Sequence, residues 1–249
     1  MDLNKLITVS TLAGKILLES GAETYRVEET ISRICIAYGA HTADSFVIPT
    51  GIMVTVTHYD EVATLVKRIT SRGVDLNKID AVNDLSRRIQ SESIELCDFN
   101  KELIQISNAA RYSHLITLIC SAIAAGCFSI MFGGDLKDFF ATCLIGAVIK
   151  IVTIIFQKLN INEFFVNSFC GGLCAILATM FLRLNLCSNL DKTIIGSIML
   201  LVPGLIITNA IRDTIAGDFL SGITKASEAF LIAVSIAVGT GAILSIFYL

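Results

Sequence analysis

Two polar groupings in an otherwise apolar chain carry residue types that could do chemistry. The first holds Glu23, Tyr25, Arg26, Glu28 and Glu29, with His41, Asp44 and His58 further on. The second holds Asn209, Arg212 and Asp213, then Gly217 and Asp218, then Lys225 and Glu228. Residues three and four apart share a helix face, so Tyr25, Glu28 and Glu29 would stand together, with Arg26 in reach of Glu23 and Glu29. Ion pairs of this kind on a solvated surface contribute a few tenths of a kcal/mol, and spacing alone favours that plain reading. Asn209, Arg212 and Asp213 follow the same i, i+3, i+4 pattern beside an interrupted apolar stretch. They suit a gate or a proton relay, or equally a set of solvated interface charges, and position does not choose between them. The chain has no GxSxG, HExxH, CxxC or phosphate-cradling Gly-rich loop, so no catalytic residue is assigned. Cys170 and Cys174 share a face without further ligands nearby. Neither a metal nor a cofactor is expected.

The first grouping needs a small mixed scaffold. Residues 3 to 18 read as an amphipathic helix with Leu3, Leu6, Ile7, Ala13, Ile16 and Leu17 inward. Ser20 and Glu23 match a capping box opening a second helix, on which Val27, Ile31, Ile34, Cys35 and Tyr38 recur until the Gly39 stop. From Ser45 to His58 the period becomes two, with Ile52, Val54 and Val56 on one face and Met53, Thr55 and Thr57 on the other. That pattern predicts one strand bent at Pro49 and Gly51, paired with Ala63 to Ile69 across the Tyr59 to Glu61 turn. Helices over 75 to 89 and 92 to 107 complete an α+β domain.

The second grouping needs a membrane. Of 249 residues, 54% are hydrophobic and 16% charged, against about 45–50% and about 25% in soluble domains. Residues 1 to 114 hold 12 Lys/Arg and 15 Asp/Glu, and residues 115 to 249 hold 7 of each, so the net charge of -3 lies in the first part. A basic surface for nucleic acid is absent. Apolar stretches near 115–132, 139–156, 164–182, 193–211 and 229–249 each approach the ~20 residues that cross a bilayer as a helix. The sequence therefore predicts a cytoplasmic α+β domain over 1–114, then an all-α membrane domain of about five transmembrane helices over 115–249. The N-terminus lacks a signal-peptide pattern, which leaves it in the cytoplasm. The loop charges agree weakly, with Arg111, Lys158, Arg212 and Lys225 inside and Lys137, Arg183 and Lys192 outside. Cysteines within the spans read as small apolar fillers.

Pro203 and Gly204 interrupt the fourth stretch. Proline removes a backbone donor and clashes with the carbonyl four residues back, that of Met199, so the helix should kink or divide at mid-bilayer. Opened backbone at that depth is tolerated against protein or a wet cavity. A half-helix starting there would aim its positive dipole end at a carboxylate-bearing solute, although a plain structural kink is the simpler alternative.

Four segments in register carry a resemblance: SGAETYRVEETISRICIAYG (Ser20–Gly39), IPTGI (Ile48–Ile52), SRGVDLNKIDAVNDLSRR (Ser71–Arg88) and LVPGLIITNAIRDTIAGDFLSGITKASEAFLIAVSIAVG (Leu201–Gly239). Together they resemble the threonine/serine exporter family. Fused members carry a cytoplasmic domain and both membrane halves, so a chain with five spans is similar to the larger subunit of the split bacterial members. The resemblance implies a small membrane subunit supplying the other half, with the lipid bilayer, a small carboxylate-bearing solute and a second copy of the chain as further partners. Split members are associated with dicarboxylates such as succinate, fused ones with threonine and serine. The matching motif residues are Gly21, Glu23, Tyr25, Arg26 and Glu28 in the cytoplasmic part. In the membrane part they are Pro203, Gly204, Asn209, Arg212, Asp213, Gly217, Asp218 and Glu228. The expectation is a multi-pass subunit of a secondary exporter in the bacterial inner membrane. A membrane-anchored hydrolase working from residues 20–60, or a solute-sensing regulator, are the alternatives.

Overall fold

The computed structural model describes residues 2–109 and 112–248. Arg111, counted above among the inside charges, lies outside the described residues. The chain forms two compact units, and they are not the first and second parts of the sequence. One comprises Met1–Ala110 with Leu205–Ser227, the other Arg111–Gly204 with Glu228–Leu249.

In the first unit, helix α1 (Leu3–Glu19) opens with the Asp2 carboxylate accepting from the Lys5 N–H at 3.0 Å. Its expected apolar face is buried, Leu6, Ile7, Ala13 and Leu17 almost completely. The expected capping box at Ser20 and Glu23 does not form. Ser20 is the C-cap of α1, and the chain leaves the helix through Gly21 at φ +91°. There the Ala22 N–H reaches the Leu17 carbonyl at 3.0 Å and the Gly21 N–H the Leu18 carbonyl at 3.3 Å, the pair of bonds that closes a helix on a left-handed residue. The next helix, α2 (Thr24–Ala37), therefore starts later, with Glu23 as an N-cap whose side chain makes no capping bond.

The strand expected over Ser45 to His58 is two strands. Strand β1 (Thr42–Ile48) and strand β2 (Gly51–His58) pair antiparallel with Val47 opposite Ile52. Pro49, with fixed φ and no N–H for a ladder, starts a turn rather than a bend. Strand β3 (Glu61–Arg68) pairs with β2, Val54 opposite Leu65, giving the order β1-β2-β3. Ile52, Val54 and Val56 point inward as the alternation requires. Helices α3 (Leu76–Glu92) and α4 (Leu96–Asn108) add Val82, Leu85, Phe99 and Leu103 to this core. Burying side chains of this size contributes about 1.5–3 kcal/mol each.

The second unit holds α5 (His114–Met131), α6 (Leu136–Lys158), α7 (Glu163–Arg183) and α8 (Leu190–Ile198). Its last part is most of α10 (Phe219–Tyr248). Among the described residues, four helices are long and apolar enough to cross a membrane: α5, α6, α7 and α10. Leu115, Phe140, Phe165 and Val238 face outward, as expected of helices that are apolar all round. Inside, Ile145 and Ile149 pack with Cys170, Cys174, Ala175 and Ala178. A Cβ built on Gly171 would lie 2.8 Å from the Ile236 carbonyl oxygen, so that helix contact requires glycine. Asp138 is fully buried at the start of α6. It accepts from the backbone N–H groups of Ser188 at 2.7 Å and Asn189 at 2.9 Å, and from Asn189 Nδ2 at 2.9 Å.

The fourth of the five expected spans is in two pieces. Helix α8 ends at Ile198 and α9 (Gly204–Ala216) begins directly after Pro203. Each piece is too short to cross a bilayer alone.

Candidate functional site

Helix α9 and the start of α10 bring a second set of side chains to the N-terminus of α2, all within the first unit. The turn between them depends on Gly217 at φ +97°. The Asp218 N–H bonds the Asp213 carbonyl at 2.8 Å and the Gly217 N–H the Thr214 carbonyl at 3.2 Å, repeating the left-handed closure seen at Gly21. This tight turn carries Lys225 back beside Asp213.

Asp213 is fully buried and Lys225 is 6% exposed. Lys225 Nζ donates to Asp213 Oδ2 at 2.6 Å. The same carboxylate accepts from the Thr24 N–H, through Oδ1 at 3.0 Å, and from the Thr24 hydroxyl, through Oδ2 at 3.0 Å. Thr24 is the first residue of α2, whose early N–H groups lack helical partners and carry the positive end of the helix dipole. Asp213 thus supplies the cap that Glu23 does not. Lys225 Nζ also lies 3.4 Å from Thr24 Oγ1. Charges taken out of water need both pairing and hydrogen bonds to persist, and Asp213 has both.

Around this centre the remaining motif residues take separate tasks. The Gly21 carbonyl accepts from Asn209 Nδ2 at 2.8 Å, and Asn209 is buried. Glu23, 7% exposed, pairs with Arg212, whose side chain is half-exposed, and its Oε2 lies 3.4 Å from Arg26 Nε. Burial pushes the Glu23 carboxyl up, but its own backbone N–H and then Arg212 and Arg26 outweigh that and leave it below the ordinary value. Glu28 turns the other way, its Oε1 accepting from the Val47 N–H at 2.8 Å. Burial raises it, against that hydrogen bond, and the charges of Asp218 and Asp213 add to the rise. Asp218 is likewise raised by burial and then by Asp213, with Lys225 opposing.

Several groupings expected from spacing separate. Tyr25, Glu28 and Glu29 do not act together: Glu28 serves β1 and Glu29 pairs with Arg33. Glu29 fits the solvated-surface reading, whereas Glu23 does not. His41, His58 and Tyr59 form their own ring cluster, with centroids 4.6 to 5.2 Å apart. Pro203, Gly204 and Glu228 belong to the second unit. Among the described residues no group of His, Cys, Asp and Glu could hold a metal. Thr24, inside the SGAETYR segment, carries no local sequence signal of its contacts with Asp213. Lys225 stands in the second polar grouping twelve residues after Asp213, and the Gly217–Asp218 turn between them is the available signal that they meet.

The family model of the threonine/serine exporters, ThrE, matches residues 8–247. The chain belongs to that family. Both polar groupings of this exporter-family chain therefore fall inside the matched region. Two curated relatives are named "Probable succinate transporter subunit YjjP". The one from Klebsiella aerogenes is 23% identical over 227 residues, covering 90% of this chain and 86% of the relative. The one from Escherichia coli is 23% identical over 227 residues, covering 91% and 88%. No solved structure matches the chain.

Proposed function

We propose that this ThrE-family chain is one subunit of a proton-coupled secondary exporter that carries a small carboxylate-bearing metabolite out across the bacterial inner membrane. The observation that carries this reading is the buried Asp213–Lys225 pair at the N-terminus of α2. It is already a carboxylate site, with an ammonium and a helix N-terminus as donors and an internal carboxylate as occupant. A solute carboxylate offers the same acceptor geometry and competes with Asp213 for Lys225 and for the Thr24 N–H. A proton arriving on Asp213 weakens its hold on Lys225 and favours that exchange. Glu28 and Asp218, whose carboxyls are raised by burial and by the Asp213 charge, are the neighbouring acidic groups in the proton's path. Asn209 steadies the Gly21 end of the site, and the half-exposed Arg212 meets solute at its rim.

Residues 1–114 stand in the cytoplasm in this reading, and the interrupted apolar stretch near 193–211 is the fifth crossing. Pro203 and Gly204 open the backbone there, and Glu228 begins the final membrane segment. A small membrane subunit supplies the other half of the pathway, and a second copy of the chain is a further candidate partner. The relatives named as succinate transporter subunits support a dicarboxylate, and the family name supports threonine or serine. Proteoliposomes containing this chain and its partner should release labelled solute faster than liposomes holding either alone. Normal transport by the Arg212→Ala, Asp213→Ala double variant would refute the site.

A further inference from the structure

The side-by-side helices α2 and α3 leave a groove that none of the roles above uses. Arg26, Glu29, Thr30 and Arg33 recur at i, i+3, i+4 and i+7, on one face of α2. Asn83 and Arg87, four apart on α3, line the groove's other side, and the enclosed space is about 210 Å³. Three guanidinium groups against one carboxylate leave a net charge of two positive units. Arg33 is engaged by Glu29, and Arg26 Nε lies 3.4 Å from both Tyr25 Oη and Glu23 Oε2. The Arg87 guanidinium makes no hydrogen bond or ion pair among the described residues.

Planar guanidinium forks match carboxylate and phosphate oxygens in pairs. The lining residues are polar, which disfavours an apolar ligand, and the space is below the roughly 300–1,000 Å³ that holds a drug-sized molecule. We propose that this groove is a binding site for a small dianion of the dicarboxylate or phosphate type, with Arg87 as its open donor and Arg26 and Arg33 as flanking charges. The site is distinct from the Asp213 cluster and stands independently of the transport reading. Arg26 links the two, because Glu23 is shared between Arg26 and Arg212.

The chain has no tryptophan, so Tyr25→Trp in the full-length protein in lipid nanodiscs places a single reporter in the groove. Titration with succinate or inorganic phosphate should give a saturable fluorescence change that threonine, a neutral zwitterion, does not give. Arg87→Gln in the same background should weaken it at least tenfold, and rising salt should weaken it further. A response to succinate alone assigns a dicarboxylate, and to phosphate alone a phosphate. Should Arg87→Gln fail to fold, Asn83→Asp, which adds a negative charge to the groove, should weaken binding likewise. No saturable response to either dianion, an equal response to threonine, or unchanged affinity in the arginine variant would overturn the proposal. Because the reading is local to the groove, loss of this signal with transport intact would leave the exporter reading standing.

Discussion

Asp213 and Asp138 are both fully buried aspartates next to helix N-termini, and they are satisfied in opposite ways. Asp138 is met by neutral donors, the N–H groups of Ser188 and Asn189 and the Asn189 amide. It fastens the loop before α8 to the start of α6, and no charge opposes it among those contacts. Asp213 shares its oxygens between a helix N-terminus and the Lys225 ammonium, with Glu28 and Asp218, two carboxyls raised by burial, as its charged neighbours. A carboxylate held by neutral dipoles resists exchange, because any replacement must reproduce several fixed directions at once. A carboxylate held largely by one opposite charge can be displaced by another carboxylate or neutralised by one proton. The difference separates a structural clip from a site that can cycle.

The largest effect should come from Asp213→Asn, which leaves Lys225 buried without its counter-charge. Loss of one partner of a buried pair costs about 3–5 kcal/mol, and transport should be abolished even in the fraction that folds, read by thermal melting beside solute efflux. Asp138→Asn should cost less, about 1.5–3 kcal/mol for hydrogen bonds to a charged acceptor, while efflux per folded molecule stays near the parent value. Equal damage to transport from the two variants would erase the distinction between them. Smaller again are the turns. Gly217→Ala meets only the left-handed φ and should cost about 1 kcal/mol. Gly21→Ala should exceed that, because its Cβ would also lie 2.9 Å from the Gly73 carbonyl oxygen.

The smallest effect is a pH dependence. Glu28 binds its proton more tightly folded than unfolded, so its contribution to stability is present below the ordinary carboxylate range and is lost as pH rises through its raised value. Glu23 runs oppositely, contributing above its ordinary value and losing that contribution as pH falls through its depressed one. Glu28→Gln should therefore match the parent near pH 4 and become slightly more stable than it at pH 7, by less than about 1 kcal/mol for a group only partly buried. Melting curves at the two pH values decide this.

Local pattern made much of the first unit legible. The buried face of α1 and the alternation of β2 each follow from apolar spacing within one element, and the polar stretches over 75 to 89 and 92 to 107 are the helices α3 and α4. The errors fall where a single residue redirects the chain. Pro49 made a hairpin of what alternation read as one strand. Gly21 closed α1 through a left-handed residue, which moved the start of α2 past the Ser20–Glu23 pattern. The division before α9 was legible because Pro203 acts on its own helix. The carboxylate cluster was only half legible. Asn209, Arg212 and Asp213 share a face by spacing, but their partners Gly21, Thr24 and Glu23 lie nearly 190 positions away, and no local periodicity joins them.

The most direct test replaces both members of the central pair. Asp213→Asn with Lys225→Met removes the two charges together, and swapping a buried ion pair for groups of similar size is often close to neutral for stability. The double variant should therefore melt much nearer the parent than Asp213→Asn alone. Reconstituted with its partner subunit, it should still release no labelled solute above empty liposomes. Efflux from that folded double variant at the parent rate would contradict the account, because the pair would then be a clip of the Asp138 kind.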